Sequence, residues 1–314
     1  MPPMHPSISK MKFPRDERPG IWRKGVLQIW VTRACDKSCF GCTQGSNLGG
    51  KPGMITVDQF AEACDSLRDY WGVVGMFGGN PAMHPQFDEL CKILREKIPY
   101  VQRGLWCNNL MGKGAHARIT FNPDVSNLNV HCDKAAHDEF LRDWPESTRV
   151  VKGLEQDSRH APPYVSMLDV LPDEEKRWRL IETCDINRYW SAIICVFRGE
   201  LRGYFCEIAG AQAMLKQTDP SYPDLGLPIT PGWWKQGPEA FAAQVEHHCH
   251  RCGVPLKGHG ALALTGPTEQ TSREYVDVYK PKAKGRPVEV VTDLNQLGDP
   301  LKRMTDYIEN GSIR

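Results

Sequence analysis

The stretch Ala34-Cys-Asp-Lys-Ser-Cys-Phe-Gly-Cys42 places three cysteines, Cys35, Cys39 and Cys42, on one short segment with the spacing C-x3-C-x2-C. Three thiolates at this spacing can bind one iron–sulfur cluster. A cluster held by four cysteines has only protein ligands, whereas three cysteines leave one iron open for a small molecule, as in a catalytic metal site. The stretch therefore predicts a cluster with an open position, and part of a zinc knuckle is the alternative interpretation.

The segments around the cysteines predict a strand, a loop and a helix. Leu27–Thr32 alternates apolar and polar residues as a half-buried strand does. After a glycine-rich loop, Thr56 followed by Gln59 forms a capping-box pattern that begins a helix. The next strand, Val73–Phe77, runs into Gly78-Gly79-Asn80-Pro81. Two consecutive glycines allow the backbone to approach a ligand closely, because no Cβ stands in the way.

Strand and helix patterns continue to alternate along the chain. Strands are predicted at Arg103–Cys107, Asn127–His131 and Tyr164–Val170, and helices at Phe87–Ile98, Ala135–Leu141 and Asp173–Ile181. Repeated βα units predict a parallel sheet covered by helices, and chemistry in such sheets gathers at the carboxyl ends of the strands. We therefore expect the cysteine loop, Asn80, Cys107–Asn109 and His131–Asp133 to lie at one edge of the sheet.

The cysteine spacing, Phe40 inside its last gap and the Gly-Gly-Asn-Pro turn together resemble the signature of the radical S-adenosylmethionine (SAM) superfamily. The resemblance implies an α/β fold with a partial (βα)₆ TIM-like barrel. It also implies a 4Fe–4S cluster on Cys35, Cys39 and Cys42, whose open iron is chelated by the amino and carboxylate groups of SAM. The residues expected to line the SAM site are Phe40, Gly78, Gly79, Asn80, Pro81 and Asn108. Asn80 departs from the family pattern, which has a glutamate there, so its amide oxygen should bind the methionyl amino group without a negative charge.

A second group of cysteines follows the predicted barrel. Cys184 is followed by a predicted hairpin, Ile193–Phe197 with Leu201–Phe205, which ends at Cys206, and Cys249 and Cys252 form a Cys-x2-Cys pair. This arrangement is similar to the twitch domain, a shortened SPASM domain, and implies that a small C-terminal domain holds a second, auxiliary 4Fe–4S cluster. Cys195 could replace Cys184 as a ligand. A structural zinc site is the alternative, since sequence cannot separate four thiolates on zinc from four on iron.

These patterns divide the chain into an N-terminal arm (1–25), the barrel (26–182), the auxiliary-cluster domain (183–260) and a C-terminal linker with an amphipathic helix (261–314). The net charge of +1 makes nucleic acid an improbable partner. The arm has no apolar core of a signal peptide, and no apolar run reaches about 18 residues, so no membrane span is predicted. Twelve cysteines would suggest disulfides in a secreted protein, but the closely spaced cysteine groups indicate metal binding in a reducing cytoplasm instead.

The resemblance implies an enzyme that receives an electron from a flavodoxin- or ferredoxin-type donor and cleaves SAM to a 5′-deoxyadenosyl radical. We expect it to act as an oxidoreductase or isomerase, oxidising or epimerising a polar small molecule such as a sugar or aminocyclitol. An epimerase needs a thiol that returns a hydrogen atom, and Cys107 and Cys132 are the candidates, although both could be structural thiols. A peptide-modifying maturase and a non-catalytic zinc-binding scaffold are the alternatives. The oligomeric state does not follow from the sequence.

Overall fold

The computed structural model describes residues 3–18, 25–39, 41–48, 53–155, 163–190, 192–256, 269–279 and 287–297. Within these residues, ten strands form an eight-stranded sheet and a two-stranded sheet. The strands are β1 (Val26–Thr32), β2 (Val73–Gly78), β3 (Arg103–Cys107), β4 (Asn127–Asn129), β5 (Val151–Lys152), β6 (Ala192–Phe197), β7 (Glu200–Tyr204), β8 (Leu227–Pro228), β9 (Glu269–Thr271) and β10 (Val288–Val290).

The large sheet has the order β5-β4-β3-β2-β1-β6-β7-β8. Strands β1 to β6 are parallel, whereas β7 and β8 are antiparallel to their neighbours. The predicted α/β class is confirmed. In the described part of the chain the sheet stays open, with β5 and β8 at its edges. Because β6 lies beside β1 and not beside β5, the predicted hairpin of the second cysteine group extends the same sheet.

Strand β1 lies in the interior of this sheet, and all seven of its residues are buried. The alternating pattern predicted a half-buried strand, but parallel strands inside an α/β sheet are covered on both faces. The polar residues Gln28 and Thr32 are therefore buried with the apolar ones. A buried central strand provides a rigid base for the loop that follows it.

The described residues also contain ten α-helices: α1 (Val57–Ser66), α2 (Phe87–Lys97), α3 (Gly114–Thr120), α4 (Lys134–Asp143), α5 (Met167–Val170), α6 (Glu174–Glu182), α7 (Asp185–Tyr189), α8 (Glu207–Lys216), α9 (Pro238–Gln244) and α10 (Val276–Tyr279). The capping box at the start of α1 is confirmed. The Thr56 hydroxyl accepts the Gln59 N–H at 3.2 Å, and the Gln59 side chain accepts the Thr56 N–H at 3.1 Å. Two backbone N–H groups that would otherwise lack a hydrogen-bond acceptor are thereby satisfied, which fixes where the helix begins.

The predicted strand at Tyr164–Val170 is wrong, because this segment ends in the short helix α5. Its backbone bonds instead to a loop near β9: the Tyr164 carbonyl accepts the Ser272 N–H at 3.2 Å, and the Ser166 N–H donates to the Ser272 hydroxyl at 2.9 Å. Tyr164 and Val165 are fully buried, which produces an apolar pattern without a strand. The fifth parallel strand is β5, whose two residues are too few for a recognisable periodicity.

The N-terminal arm packs against the second half of the chain. His5 stacks on Trp178 with ring centroids 4.0 Å apart, and Ser7 donates to Glu182 at 2.7 Å. The side chain of Asn187 accepts the Lys12 N–H at 2.9 Å and donates to the Lys12 carbonyl at 2.8 Å. The described part of the arm therefore packs against the segments that surround the second cysteine group.

The C-terminal region is described only in part. The small sheet pairs β9 with β10 in parallel, and a 3₁₀ turn at Leu294–Leu297 follows. The remainder of the predicted C-terminal amphipathic helix lies outside the described residues. Among the described helices, none is both long and apolar enough to cross a membrane.

Candidate functional site

The first cysteine group lies on the loop that leaves the carboxyl end of β1. Cys42 is buried, and Cys35 and Cys39 are half-buried. Burial raises the pKa of the Cys35 thiol to about 12; the Lys37 N–H opposes this shift, and negative charge on Cys42 or Cys39 adds to it. The three thiols are thus within electrostatic reach of one another, and a metal that binds them must displace their protons.

Backbone N–H groups surround the sulfur atoms of this loop. The Lys37 N–H donates to Cys35 Sγ at 3.4 Å. Burial raises the pKa of Cys42, and the nearby N–H groups of Ser46, Gln44 and Asn47 oppose that rise. Hydrogen bonds to sulfur stabilise thiolates and tune iron–sulfur clusters. Three thiols on one loop, two of them close to backbone N–H groups, fit a cluster that takes three protein ligands. Phe40, predicted to line the same site, lies outside the described residues.

The Gly-Gly-Asn-Pro turn packs directly on this loop. The Gly79 N–H donates to the Thr32 carbonyl at 2.8 Å, and the Asn80 N–H donates to the Ala34 carbonyl at 2.7 Å. A Cβ on Gly78 would lie 2.2 Å from the Thr32 carbonyl oxygen, and one on Gly79 would lie 2.3 Å from that of Ala34. The two glycines therefore serve the contact between the turn and the cysteine loop. Pro81, also buried, begins the 3₁₀ turn that follows Asn80.

Asp36, which follows the first cysteine, is held between two amides from neighbouring strand ends. Its Oδ1 accepts from Asn108 Nδ2 at 2.9 Å and from Asn80 Nδ2 at 3.2 Å, and its Oδ2 lies 3.5 Å from Lys37 Nζ. Lys37 also forms an ion pair with Asp133. Burial alone would raise the pKa of Asp36, but the bonds from Asn108 and Asn80 and the charge of Lys37 keep it below its usual value.

This carboxylate network was not found from the sequence. Two features of the sequence could have indicated this network: an aspartate inside the cysteine loop, and an asparagine at position 80, where the family pattern has a glutamate. The structure does bring Asn80 and Asn108 together beside Cys35, whose Sγ lies 3.9 Å from Asn108 Oδ1. The predicted convergence of strand ends is observed at this point.

The two candidate thiol donors differ in their surroundings. Cys107 is buried, and its Sγ donates to the Asn109 carbonyl at 2.8 Å and approaches Asn80 Oδ1 at 3.2 Å. Burial raises the pKa of this thiol well above its ordinary value. Cys132 is exposed in the turn before α4, with a positive φ of 63°. Cys107 is therefore buried in contact with Asn80, and Cys132 is accessible to solvent.

The second cysteine group lines one cavity, which encloses about 370 Å³ including its mouth. Cys184, Cys206, Cys249 and Cys252 all contribute to it, and the rest of its wall is largely apolar, including Met11 of the N-terminal arm. Burial raises the pKa of Cys184 to about 11 and of Cys206 to about 12. The pKa values of Cys249 and Cys252 are also raised, first by burial and then by neighbouring thiols.

Cys195 stands apart from this cavity. It is fully buried in β6, and its Sγ faces the Gly210 carbonyl at 3.8 Å. Cys206 instead directly precedes α8, and Cys184 directly precedes α7. The N–H groups of Ile208 and Ala209 oppose the rise in the pKa of Cys206, and those of Ile186 and Asn187 oppose the rise in the pKa of Cys184. Helix starts present such donors because their first N–H groups have no partner within the helix.

Two further buried side chains near the cavity, Arg18 and His248, were not predicted from the sequence to belong to a site. Arg18 is only 4% exposed; its Nη1 donates to the Asn187 carbonyl at 2.6 Å, while its Nη2 has no hydrogen bond. The guanidinium lies within electrostatic reach of Cys206 and Cys184. His248 lines the cavity, and its Nδ1 pairs with Gln212 at 3.0 Å. Asp16 and Glu207 also lie within electrostatic reach of the Arg18 guanidinium. A buried cation near two of the four thiols is compatible with an anionic occupant of the cavity.

Across the ranges described, no three or more His, Cys, Asp or Glu side chains are gathered closely enough to hold a single metal ion.

A comparison with protein families identifies the type of domain. A family model described as the radical SAM superfamily matches residues 29–209. A comparison with curated proteins gives no significant match. Among solved structures, one is titled as the crystal structure of BtrN in complex with AdoMet and 2-DOIA; it has a TM-score of 0.41 and 11% sequence identity, covering 72% of this chain and 87% of that one.

Proposed function

The chain belongs to the radical SAM superfamily, and on this premise we propose that it oxidises a polar small molecule, such as a sugar or an aminocyclitol, after removing a hydrogen atom from it. When bound, a 4Fe–4S cluster and SAM supply the electron and the 5′-deoxyadenosyl radical for this removal. We expect the electron to come from a flavodoxin- or ferredoxin-type protein in a reducing cytoplasm.

The single observation that carries this proposal is the cysteine loop at the carboxyl end of β1. Cys35, Cys39 and Cys42 would hold the cluster, with the Lys37 N–H bonded to the sulfur of Cys35 and further N–H groups near the sulfur of Cys42. The Gly-Gly-Asn-Pro turn fixes the position of this loop through hydrogen bonds to Thr32 and Ala34. A loop held in this way can keep one side open for SAM, because its backbone position is fixed from the other side.

We further propose that the four-thiol cavity holds a second 4Fe–4S cluster. Support comes from the joint lining by Cys184, Cys206, Cys249 and Cys252, and from N–H donors at the starts of α7 and α8. Four thiolates with their metal carry net negative charge, which suits the buried guanidinium of Arg18. Zinc bound by the same four thiolates would also be anionic, so metal identity must be measured.

The surroundings of the two candidate thiols, Cys107 and Cys132, favour oxidation over epimerisation as the proposed reaction. Conversion of a carbinol to a carbonyl removes one hydrogen atom, then one proton and one electron, and a second cluster can accept that electron. Epimerisation instead requires a thiol that returns a hydrogen atom to the substrate. Cys107 is buried and bonded to Asn109, which argues against this role, whereas the exposed Cys132 keeps epimerisation as the second candidate.

Turnover in deuterated water separates the two reactions. Oxidation places no solvent deuterium on the reacting carbon and yields a product that is two hydrogen atoms lighter. Epimerisation through Cys132 places one deuterium there, because a thiol exchanges its hydrogen with solvent. A Cys132→Ala variant should retain full activity under the oxidation proposal. Deuterium in the product together with loss of inversion in that variant would contradict oxidation.

A further inference from the structure

We propose that the Asp36 carboxylate accepts the methionyl amino group of SAM, taking the part that a glutamate at the position of Asn80 would have. This inference rests on the proposed function, because it assumes that SAM binds beside Cys35. The juxtaposition that carries it is Asp36 bonded to both Asn80 and Asn108, next to the first cysteine.

The amide oxygen of Asn80 is not available to an amino group, because the Asn80 side chain is fully buried. Its Oδ1 already accepts the Ala82 N–H at 3.1 Å and lies 3.2 Å from the Cys107 sulfur. Its Nδ2 is a donor and points to Asp36 Oδ1 at 3.2 Å. An amino group brings N–H donors and needs acceptors. Asn80 therefore acts through Asp36, by holding that carboxylate in place.

Asp36 retains accepting capacity on the side away from the two amides. Both amide donors bond to Oδ1, and Oδ2 has Lys37 Nζ at 3.5 Å. An ionised carboxylate offers about four lone-pair positions. The side chain of Asp36 is 21% exposed, so a ligand can reach it. Lys37 is shared with Asp133, which leaves the charge of Asp36 only partly neutralised.

The position of this acid is otherwise unfavourable for a metal-binding loop. Asp36 Oδ1 lies 4.0 Å from Cys35 Sγ, so this carboxylate stands directly beside the first sulfur of the loop. An anionic cluster would be repelled by its negative charge. A ligand that places polar N–H groups against the carboxylate removes this conflict, and the amino group of SAM is such a ligand.

The test measures SAM binding to the reconstituted protein under anaerobic conditions, by the change that SAM causes in the electron paramagnetic resonance spectrum of the reduced cluster. Asp36→Asn keeps the shape and removes the charge, and we expect about 10- to 100-fold weaker binding, the range for a hydrogen bond to a charged group. The cluster spectrum without SAM should stay unchanged, which shows that the loop is intact.

Three comparisons make the result specific. Asp133→Asn also removes a carboxylate from Lys37 but leaves Asn80 and Asn108 in place. Because Lys37 can then pair with Asp36 alone, SAM affinity should fall slightly, by no more than about threefold. Adding Asn80→Glu to Asp36→Asn should restore most of the binding, since glutamate is one methylene longer than asparagine and supplies the acid of the family pattern from position 80. A SAM analogue lacking the amino group, measured by equilibrium dialysis, should bind the original protein and Asp36→Asn equally.

Unchanged SAM affinity in Asp36→Asn would overturn the inference. Equal losses of affinity for SAM and for the analogue without the amino group would also overturn it, because they would assign Asp36 a role in loop structure alone. Failure of the original protein to bind SAM at all is a different result, since it would contradict the proposed function itself.

Discussion

The two cysteine groups of this chain are built from the same side chain but in opposite environments. The loop after β1 holds three thiols among polar groups, with Asp36, Asn80 and Asn108 beside Cys35. The cavity holds four thiols within a largely apolar wall. The difference is consistent with the proposed functions: the loop would receive a polar ligand, and the cavity would enclose a centre that only exchanges electrons.

The largest expected effect is on iron content. It distinguishes Cys184, a proposed cluster ligand of the second group, from Cys195, a buried cysteine outside the cavity. Cys184→Ala should abolish about four of about eight bound irons, because Cys184 lines the cavity. The matched variant Cys195→Ala should keep all of them, since Cys195 faces the Gly210 carbonyl inside β6. Iron and sulfide are counted after anaerobic reconstitution. Loss of iron in Cys195→Ala alone would reverse this assignment, and zinc in both proteins would favour the scaffold alternative.

An intermediate effect concerns the turn that positions the loop of the first group. Gly79→Ala places a Cβ 2.3 Å from the Ala34 carbonyl oxygen and should lower the free energy of unfolding by about 1–3 kcal/mol, as overpacking does. Gly53→Ala is the matched control, because nothing lies within 4 Å of its added Cβ. Its effect should stay within about 0.5 kcal/mol in urea titrations. Equal effects of the two variants would show that the contact does not constrain the turn.

A smaller effect should appear at the cavity when Arg18 loses its charge. Arg18→Gln removes a buried cation within electrostatic reach of Cys184 and Cys206, so the reduced, more negative form of the centre is destabilised. We expect the one-electron midpoint potential to fall by about 60 mV, equivalent to about 1.4 kcal/mol. Arg18→Lys should restore most of the potential. A potential that is the same in all three proteins would remove Arg18 from the account.

Some of these features could be read from the sequence, and others could not. The capping box of Thr56 and the hairpin of β6 and β7 are local patterns, and the structure confirms both. The strand predicted at Tyr164–Val170 was wrong because burial by a distant loop imitates strand periodicity. Arg18 and Asp36 gain their significance from neighbours far along the chain, such as Asn187 and Asn108. No local spacing could show those contacts.

The central claim is that the loop of three cysteines, and not the cavity of four, supports cleavage of SAM. The direct measurement is 5′-deoxyadenosine released from SAM under dithionite by two variants. We predict that replacing Cys35, Cys39 and Cys42 with alanine abolishes release while about four irons remain bound. Replacing Cys184, Cys206, Cys249 and Cys252 should leave release detectable. Release of 5′-deoxyadenosine by the first variant at the rate of the original protein would contradict the account.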